Sequence, residues 1–218
     1  MDILGIRNRT ENWKTAQTFL KLMYEGKLNS FLGLLVKDII SEDEIKMELF
    51  WKGVRDYRYQ EGISLDFKER FTEAYIEHFG DLKSRLRDKT VKRVYGLTDK
   101  NYDTTYINDS NFLTNIQNQE IDIVLETDHH FFIGEAKYEV NNFNYNSQCF
   151  LSHQLLRQYI TTKILLHDKK INKEIIQFVV CDGSIVENMK NNYQVRFLKK
   201  YYDFDTERIV SWDAIAKL

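Results

Sequence analysis

Asp122, Glu135 and Lys137 are the residues of this chain whose types and spacing could do chemistry. They lie within residues 120–138, which read Glu-Ile-Asp-Ile-Val-Leu-Glu, then Thr-Asp-His-His, then Phe-Phe-Ile-Gly-Glu-Ala-Lys-Tyr. Both halves alternate with a period of two, the mark of β-strands, and the polar tetrad between them is short enough for a hairpin turn. A turn symmetric about Asp128 and His129 sets Asp122 opposite Glu135 and Glu120 opposite Lys137. Directly opposed side chains have Cβ atoms roughly 4.5–5.5 Å apart, where like charges destabilise the pair. Glu120 and Lys137 are expected to form a cross-strand ion pair. A divalent cation between Asp122 and Glu135 would relieve their repulsion, and hard cations such as Mg²⁺ take carboxylate, water and phosphate oxygens. The same residues can also be read as a solvated charged hairpin face, or as a register broken by a bulge.

The elements that must position these groups follow from the other face of the ribbon. Ile121, Ile123 and Leu125 meet Ala136, Gly134 and Phe132 there, and this wholly apolar face is expected to be the core. The chain has 218 residues, enough to bury a core without staples, and its 43% hydrophobic and 29% charged content is that of a soluble globular protein. The net charge of −2 gives no global attraction to nucleic acid, so such binding would need local patches. Cys149 and Cys181 form no disulfide framework and no zinc pattern. The N-terminus lacks a signal-peptide layout and no apolar run reaches the length of a membrane span, so a cytoplasmic, non-membrane protein is expected. There is no proline and there are nine glycines, so no proline-rich linker divides the chain.

Along the chain, Trp13, Ala16, Leu20 and Met23 predict an amphipathic helix from Thr10, its expected N-cap, to Tyr24. Residues 31–40 form a second apolar segment, too short for its pattern to assign an element. Ser41-Glu42-Asp43-Glu44 reads as a capping box opening a helix with Ile45, Leu49, Phe50 and Trp51, which Gly53 and Gly62 would bracket. Residues 65–86 read as a long helix in which Glu69, Glu73 and Glu77 share one side. That stripe fits either a solvated face or a carboxylate aimed at the hairpin site. A basic stretch over residues 83–100 includes Lys92 and Arg93, and suits either a phosphate backbone or a solvated helix end. A strand is expected at 91–97, and long polar loops at 98–118 and 140–149.

Ser152 would cap a helix burying Leu155, Leu156, Tyr159, Ile160 and Ile164, with Gln154, Arg157 and Gln158 together on an adjoining face. Residues 174–181 read as a buried central strand. Asp182-Gly183 turns the chain, and Ser184 with Glu187 suggests a capping box for a short helix. A last strand near Arg208–Val210 precedes a helix holding Trp212 and Ile215. His129 and His130 sit at the hairpin tip as turn residues, and His153, beside Gln154, is open to a role at the site or to helix capping.

This order of elements, with an acidic residue on the second strand and Glu-x-Lys on the third, resembles the PD-(D/E)xK nuclease superfamily, which includes type II restriction enzymes. The first half-motif is Ile121-Asp122, without the family's proline, and the second is Glu135-Ala136-Lys137. His153-Gln154-Leu155-Leu156-Arg157-Gln158-Tyr159 resembles the glutamine-bearing helix of several branches, its tyrosine one place late. The resemblance covers roughly residues 65–181. It implies an α/β fold with a restriction-endonuclease-like three-layer core, a mixed central sheet in αβββαβ order flanked by helices. Around that core, within one domain over 1–218, residues 1–62 would be an added helical region, 65–183 the core and 184–218 C-terminal additions.

It further implies a Mg²⁺-dependent hydrolase of phosphodiester bonds, with Mn²⁺ as a substitute and DNA favoured over RNA as partner. Asp122, Glu135 and the Ala136 carbonyl would hold the metal, and Lys137 would orient or activate the attacking water. Glu73, then Glu77 or Glu42, would add a helix carboxylate, and Gln154 would set geometry near the metal. Arg157, Lys92 and Arg93 are the expected nucleic-acid contacts. Two cuts in a duplex would call for a homodimer, although no stretch marks an interface. The competing expectation is an inactive binding or interaction module on the same scaffold.

Overall fold

The computed structural model describes residues 10–37, 44–60, 119–138 and 154–218. The chain divides into two compact units, one built from Met1–Trp51, Ile121–Asn142 and Lys173–Leu218 and the other from Lys52–Glu120 and Phe143–Asn172. The first unit is α/β. Among the described residues its mixed sheet has five strands in the spatial order β1 (Lys46–Trp51), β2 (Ile121–Glu126), β3 (His130–Ala136), β4 (Glu174–Cys181) and β5 (Ile209–Ser211). β1, β2 and β3 pair antiparallel, whereas β4 runs parallel to both β3 and β5.

The hairpin holds the expected register, with Ile123 opposite Gly134, Leu125 opposite Phe132 and Glu126 opposite Phe131. Its two-residue loop, Asp128-His129, is closed by Thr127 N donating to His130 O at 3.0 Å and His130 N donating to Thr127 Oγ1 at 3.1 Å. The apolar face is the core, as its alternation requires. Ile123, Leu125, Phe132 and Ala136 join Phe178 and Val180 of β4 there. The opposite face is buried too at Val124, Ile133 and Glu135, so the hairpin is not the half-solvated ribbon its alternation suggests. β4 lies between β3 and β5, where a near-continuous apolar run can be covered on both faces.

Two helices lay side chains into the same core. The first, α1 (Thr10–Tyr24), has the predicted extent, with Thr10 as its first residue. Its buried face differs from the expected one. Trp13, Leu20 and Met23 are exposed, while Thr15, Phe19 and Leu22 are buried. The helix carries apolar residues on two sides, and the phenyl ring of Phe19 fills the core instead of the Trp13 indole. Gly26, at φ 67, ends the turn after α1, a conformation glycine adopts without a Cβ clash. α2 (Leu28–Leu35) buries Leu28, Phe31, Leu32 and Leu35, spaced to share one face. In the ambiguous segment at 31–40, residues 31–35 are the end of this helix, and 38–40 lie outside the described residues. Phe19, Phe31 and Phe178 stack edge to face, with centroids 5.0 and 5.5 Å apart.

Residues 1–62 are not a purely helical addition, because β1 is a strand of the sheet. The cap-like acidic run before Ile45 imitates a helix start. Ile45, Met47 and Leu49 instead alternate onto the core, and pairing with β2 outweighs the local signal. Gly53 then opens a helix, α3 (Gly53–Gln60), in the second unit. That unit also holds α4 (Gln154–Asp168), in which Leu155, Leu156 and Ile160 are buried as expected but Tyr159 and Ile164 are only half-buried. Tyr57 of α3 donates to Asp168 Oδ2 of α4 at 2.8 Å, and Lys169 sits 4.3 Å over the Tyr57 ring.

After β4, the Asp182 side chain accepts from Ser184 N at 3.0 Å, so Asp182 is the cap there in place of Ser184. α5 (Val186–Lys190), α6 (Tyr193–Tyr202), the expected edge strand β5 and α7 (Trp212–Ala216) complete the first unit. Among the described residues no helix is long and apolar enough to cross a membrane. The expected helix at 65–86 with Glu69, Glu73 and Glu77, the basic stretch with Lys92 and Arg93, the strand at 91–97 and the loops at 98–118 and 140–149 all lie outside the described residues. So do Glu42, Cys149, Ser152 and His153.

Candidate active site

Asp122 lies one residue beyond the last hairpin pair, Ile123 with Gly134, which places it level with Glu135 on the neighbouring strand. Antiparallel ladders alternate between hydrogen-bonded and non-bonded pairs. Thr127 and His130 are a bonded pair, so Ala136 would next give its N–H to the carbonyl of Ile121. It donates instead to Asp122 Oδ2, at 2.9 Å. The aspartate side chain thus replaces a backbone acceptor where the ladder ends, and this bond fixes its carboxylate against the Glu135-Ala136-Lys137 segment. Ala136 itself turns its methyl into the core, in register with Val180 of β4.

Lys137 does not form the expected pair with Glu120. Its Nζ donates to Glu135 Oε1 and lies 3.9 Å from Glu11 Oε1. Glu120 pairs with Lys52 at 3.1 Å within the second unit. The reason is geometric. β2 starts at Ile121 and β3 ends at Ala136, so no ladder carries the register out to Glu120 and Lys137. Residues two apart on a strand share a face, which aligns Lys137 with Glu135. The Lys137 backbone is held on both sides, its N–H donating to Val180 O at 2.8 Å and its carbonyl accepting from Trp212 Nε1 at 3.0 Å.

Glu11 is the site residue that the sequence reading missed. Its Oε2 accepts from Tyr138 N at 2.9 Å, so the first turn of α1 is fastened to the residue after Lys137. The signal lay in the spacing Glu11, Thr15, Phe19 and Leu22, which puts the glutamate on the buried face of α1 one turn ahead of the core residues. Choosing the Trp13 stripe turned that face away.

Among the described residues, Asp122, Glu135, Glu11 and Lys137 therefore meet around the end of β3. Glu135 is 2% exposed and Lys137 6%. Burial, and then the neighbouring Glu135 charge, push the Asp122 carboxyl well above the ordinary carboxylate range. Burial works against the charge on Lys137, but Glu135, Glu11 and Asp122 outweigh it and raise the ammonium's pKa. Among the described residues carboxylates outnumber cations here, and negative charge in a low dielectric favours uptake of a proton or a cation.

Among the described residues no three His, Cys, Asp or Glu side chains are already gathered as a metal cage. The donors at the site are all hard oxygens, which suits a cation like Mg²⁺ that takes one or two carboxylates and completes its shell with water and substrate oxygens. Soft-metal and thiolate chemistry do not fit. Cys181 is buried at the end of β4 and burial pushes its thiol to about 12.

Gln154 is the first residue of α4, in the second unit. In the same unit Arg157 Nε donates to Gln119 Oε1 at 2.9 Å, and Gln158 Nε2 donates to Glu120 O at 3.4 Å. His129 is an exposed turn residue at the hairpin tip, whereas His130 is not in the turn but opens β3, half-buried, with its Nε2 3.9 Å from Glu174 Oε2. Comparison with protein-family models, curated proteins and solved structures finds no match for this chain.

Proposed function

We propose that this chain is a Mg²⁺-dependent nuclease with a restriction-endonuclease-like fold of the PD-(D/E)xK type, hydrolysing phosphodiester bonds in DNA. The observation that carries the reading is the level placement of Asp122 and Glu135 on adjoining strands, with Lys137 on the same side as Glu135. The succession of α1, β1, β2, β3, α4 and β4, with β4 parallel to β3, supports it. Asp122, Glu135 and the Ala136 carbonyl would hold the cation, with Mn²⁺ as a substitute. Glu11 adds a helix carboxylate beside Lys137, and Glu73, Glu77 or Glu42 would add another as the resemblance implies. A bound divalent ion lowers the pKa of water and withdraws charge from the phosphate.

The chain's own groups supply the rest. Asp122 is oriented by the Ala136 amide, so its carboxylate is preorganised before substrate arrives. Glu135 and Glu11 keep Lys137 charged, and the ammonium can then orient a water and offset charge on the phosphate. The burial of Glu135 and Lys137 limits competing bulk water. The test is cleavage of plasmid and single-stranded DNA with and without Mg²⁺, comparing the wild type with Asp122→Ala and Lys137→Ala. Cation-dependent cleavage lost in both variants is the expected result. Equal activity in all three proteins, or none in any across several metals, rejects the assignment, and binding without turnover would point to the inactive-module alternative.

A further inference from the structure

We infer that Lys14 and the cavity beside it form a subsite for a phosphate of the nucleic-acid strand flanking the bond to be cut, an inference that rests on the nuclease reading. Lys14 lies one helical turn after Glu11, where side chains three apart are neighbours about 5–6 Å apart at Cβ. Its Nζ is 4.1 Å from the centroid of the Tyr138 ring and 5.4 Å from that of Trp212. Both rings are tied to the site: Tyr138 N donates to Glu11, and Trp212 Nε1 donates to the carbonyl of Lys137. The ammonium is thus held over aromatic faces at the rim of the catalytic cluster and not left to wander on its flexible stem.

A cavity of about 240 Å³ opens there, between α1 and α7, lined by Lys14, Lys21, Lys27, Glu25, Trp212 and Asp213 among others. Lys27 and Lys21 lie 2.8 and 3.8 Å from Glu25, which offsets their charge. Among the described residues Lys14 makes no ion pair within 4 Å, although its charge also acts on the Asp182 carboxylate, so it is the cation of this wall left to meet an incoming anion. Side chains about 5–6 Å apart at Cβ span no more than one phosphate-to-phosphate step of a strand. A phosphate on Lys14 would therefore be the immediate neighbour of one at the carboxylates. The Trp212 ring, 4% exposed, serves as the floor and not as a stacking platform.

Fluorescence anisotropy with labelled single-stranded and duplex DNA, in Ca²⁺, across 50–200 mM salt tests this. Lys14→Gln should weaken binding at every salt concentration and flatten the plot of log K against log salt by about 0.7 for single strands or 0.9 for duplex, the loss of one phosphate contact. In Mg²⁺ it should raise KM several-fold with kcat little changed. Lys14→Arg should keep the wild-type slope, and Lys46→Gln, at the hairpin end of β1, should match the wild type. A Lys14→Gln slope equal to wild type in a protein that still binds and cleaves DNA overturns the subsite while leaving the nuclease reading intact. Failure of the wild type to bind either DNA overturns both.

Discussion

Gly134→Ala tests the packing that sets Glu135 in place. A Cβ built at Gly134 would lie 2.2, 2.4 and 2.8 Å from three carbons of the Phe178 ring on β4, against an ordinary carbon–carbon separation of about 3.5–4.0 Å. The ring would have to retreat by roughly 1.3 Å to reach the near edge of that range. It has no room to do so, since Phe178 is fully buried and stacked edge-on against Phe31, which stacks in turn on Phe19. Overpacking of this kind costs about 1–3 kcal/mol, and a chain of this size loses about 2–4 °C of Tm per kcal/mol. A fall of roughly 4–12 °C is expected by circular dichroism, taking the upper part of the range because the obstacle is an enclosed ring. Cleavage should fall further than stability, because a displaced β3 carries Glu135 with it and a misplacement of about 1 Å can cost roughly 100-fold. In Gly134→Ala/Phe178→Leu the added methyl meets a smaller neighbour, so the double variant should be more stable than the sum of the single effects by about 0.5–3 kcal/mol. A Gly134→Ala protein melting within a degree or so of wild type, or strict additivity in the double variant, would refute the β3–β4 register.

Asp122→Asn should abolish cleavage yet raise Tm near neutral pH without divalent cations. The native carboxyl's pKa is raised, so its contribution to stability is present below the unfolded value of about 3.9 and lost as pH climbs through the native one; the variant's advantage must therefore shrink toward acid pH, and a lower Tm at pH 7 would contradict this. Mg²⁺ at about 100 times its Kd should stabilise the wild type by about 2.7 kcal/mol but not Asp122→Asn, and the cation needed for half-saturation should increase as pH falls and Asp122 takes up its proton. Glu11→Gln should keep the acceptor for Tyr138 N and most of the stability while lowering cleavage about 10–100-fold, whereas Glu11→Ala should also cost about 1–3 kcal/mol by orphaning that amide; wild-type cleavage by Glu11→Gln would remove Glu11 from the site. Phe50 holds φ 56 at the position of β1 level with Asp122, so Phe50→Gly should be more stable than Phe50→Ala, inverting their usual order in a strand; urea midpoints in the ordinary order would show that no strain is stored there.

The hairpin could be read from the sequence because its information is local. Period-two alternation fixes which side chains share a face, a four-residue turn fixes the register, and together they set Asp122 level with Glu135. The apolar run of β4 likewise announced a central strand. Three features were decided by contacts between distant segments. α1 has two apolar sides, and only the fit of Phe19 against Phe31 and Phe178 selects the one that brings Glu11 to the site. β1 follows a cap-like acidic run, and only pairing with β2 makes it a strand. Lys137 takes Glu135 and Glu11 as partners because both strands stop where the register would have reached Glu120. The sequence by itself determined which acidic groups stand level across the hairpin. Tertiary structure alone decided that α1 carries Glu11 to Lys137 and that Lys137 pairs with Glu135, because burial and long-range pairing, not periodicity, settle those choices.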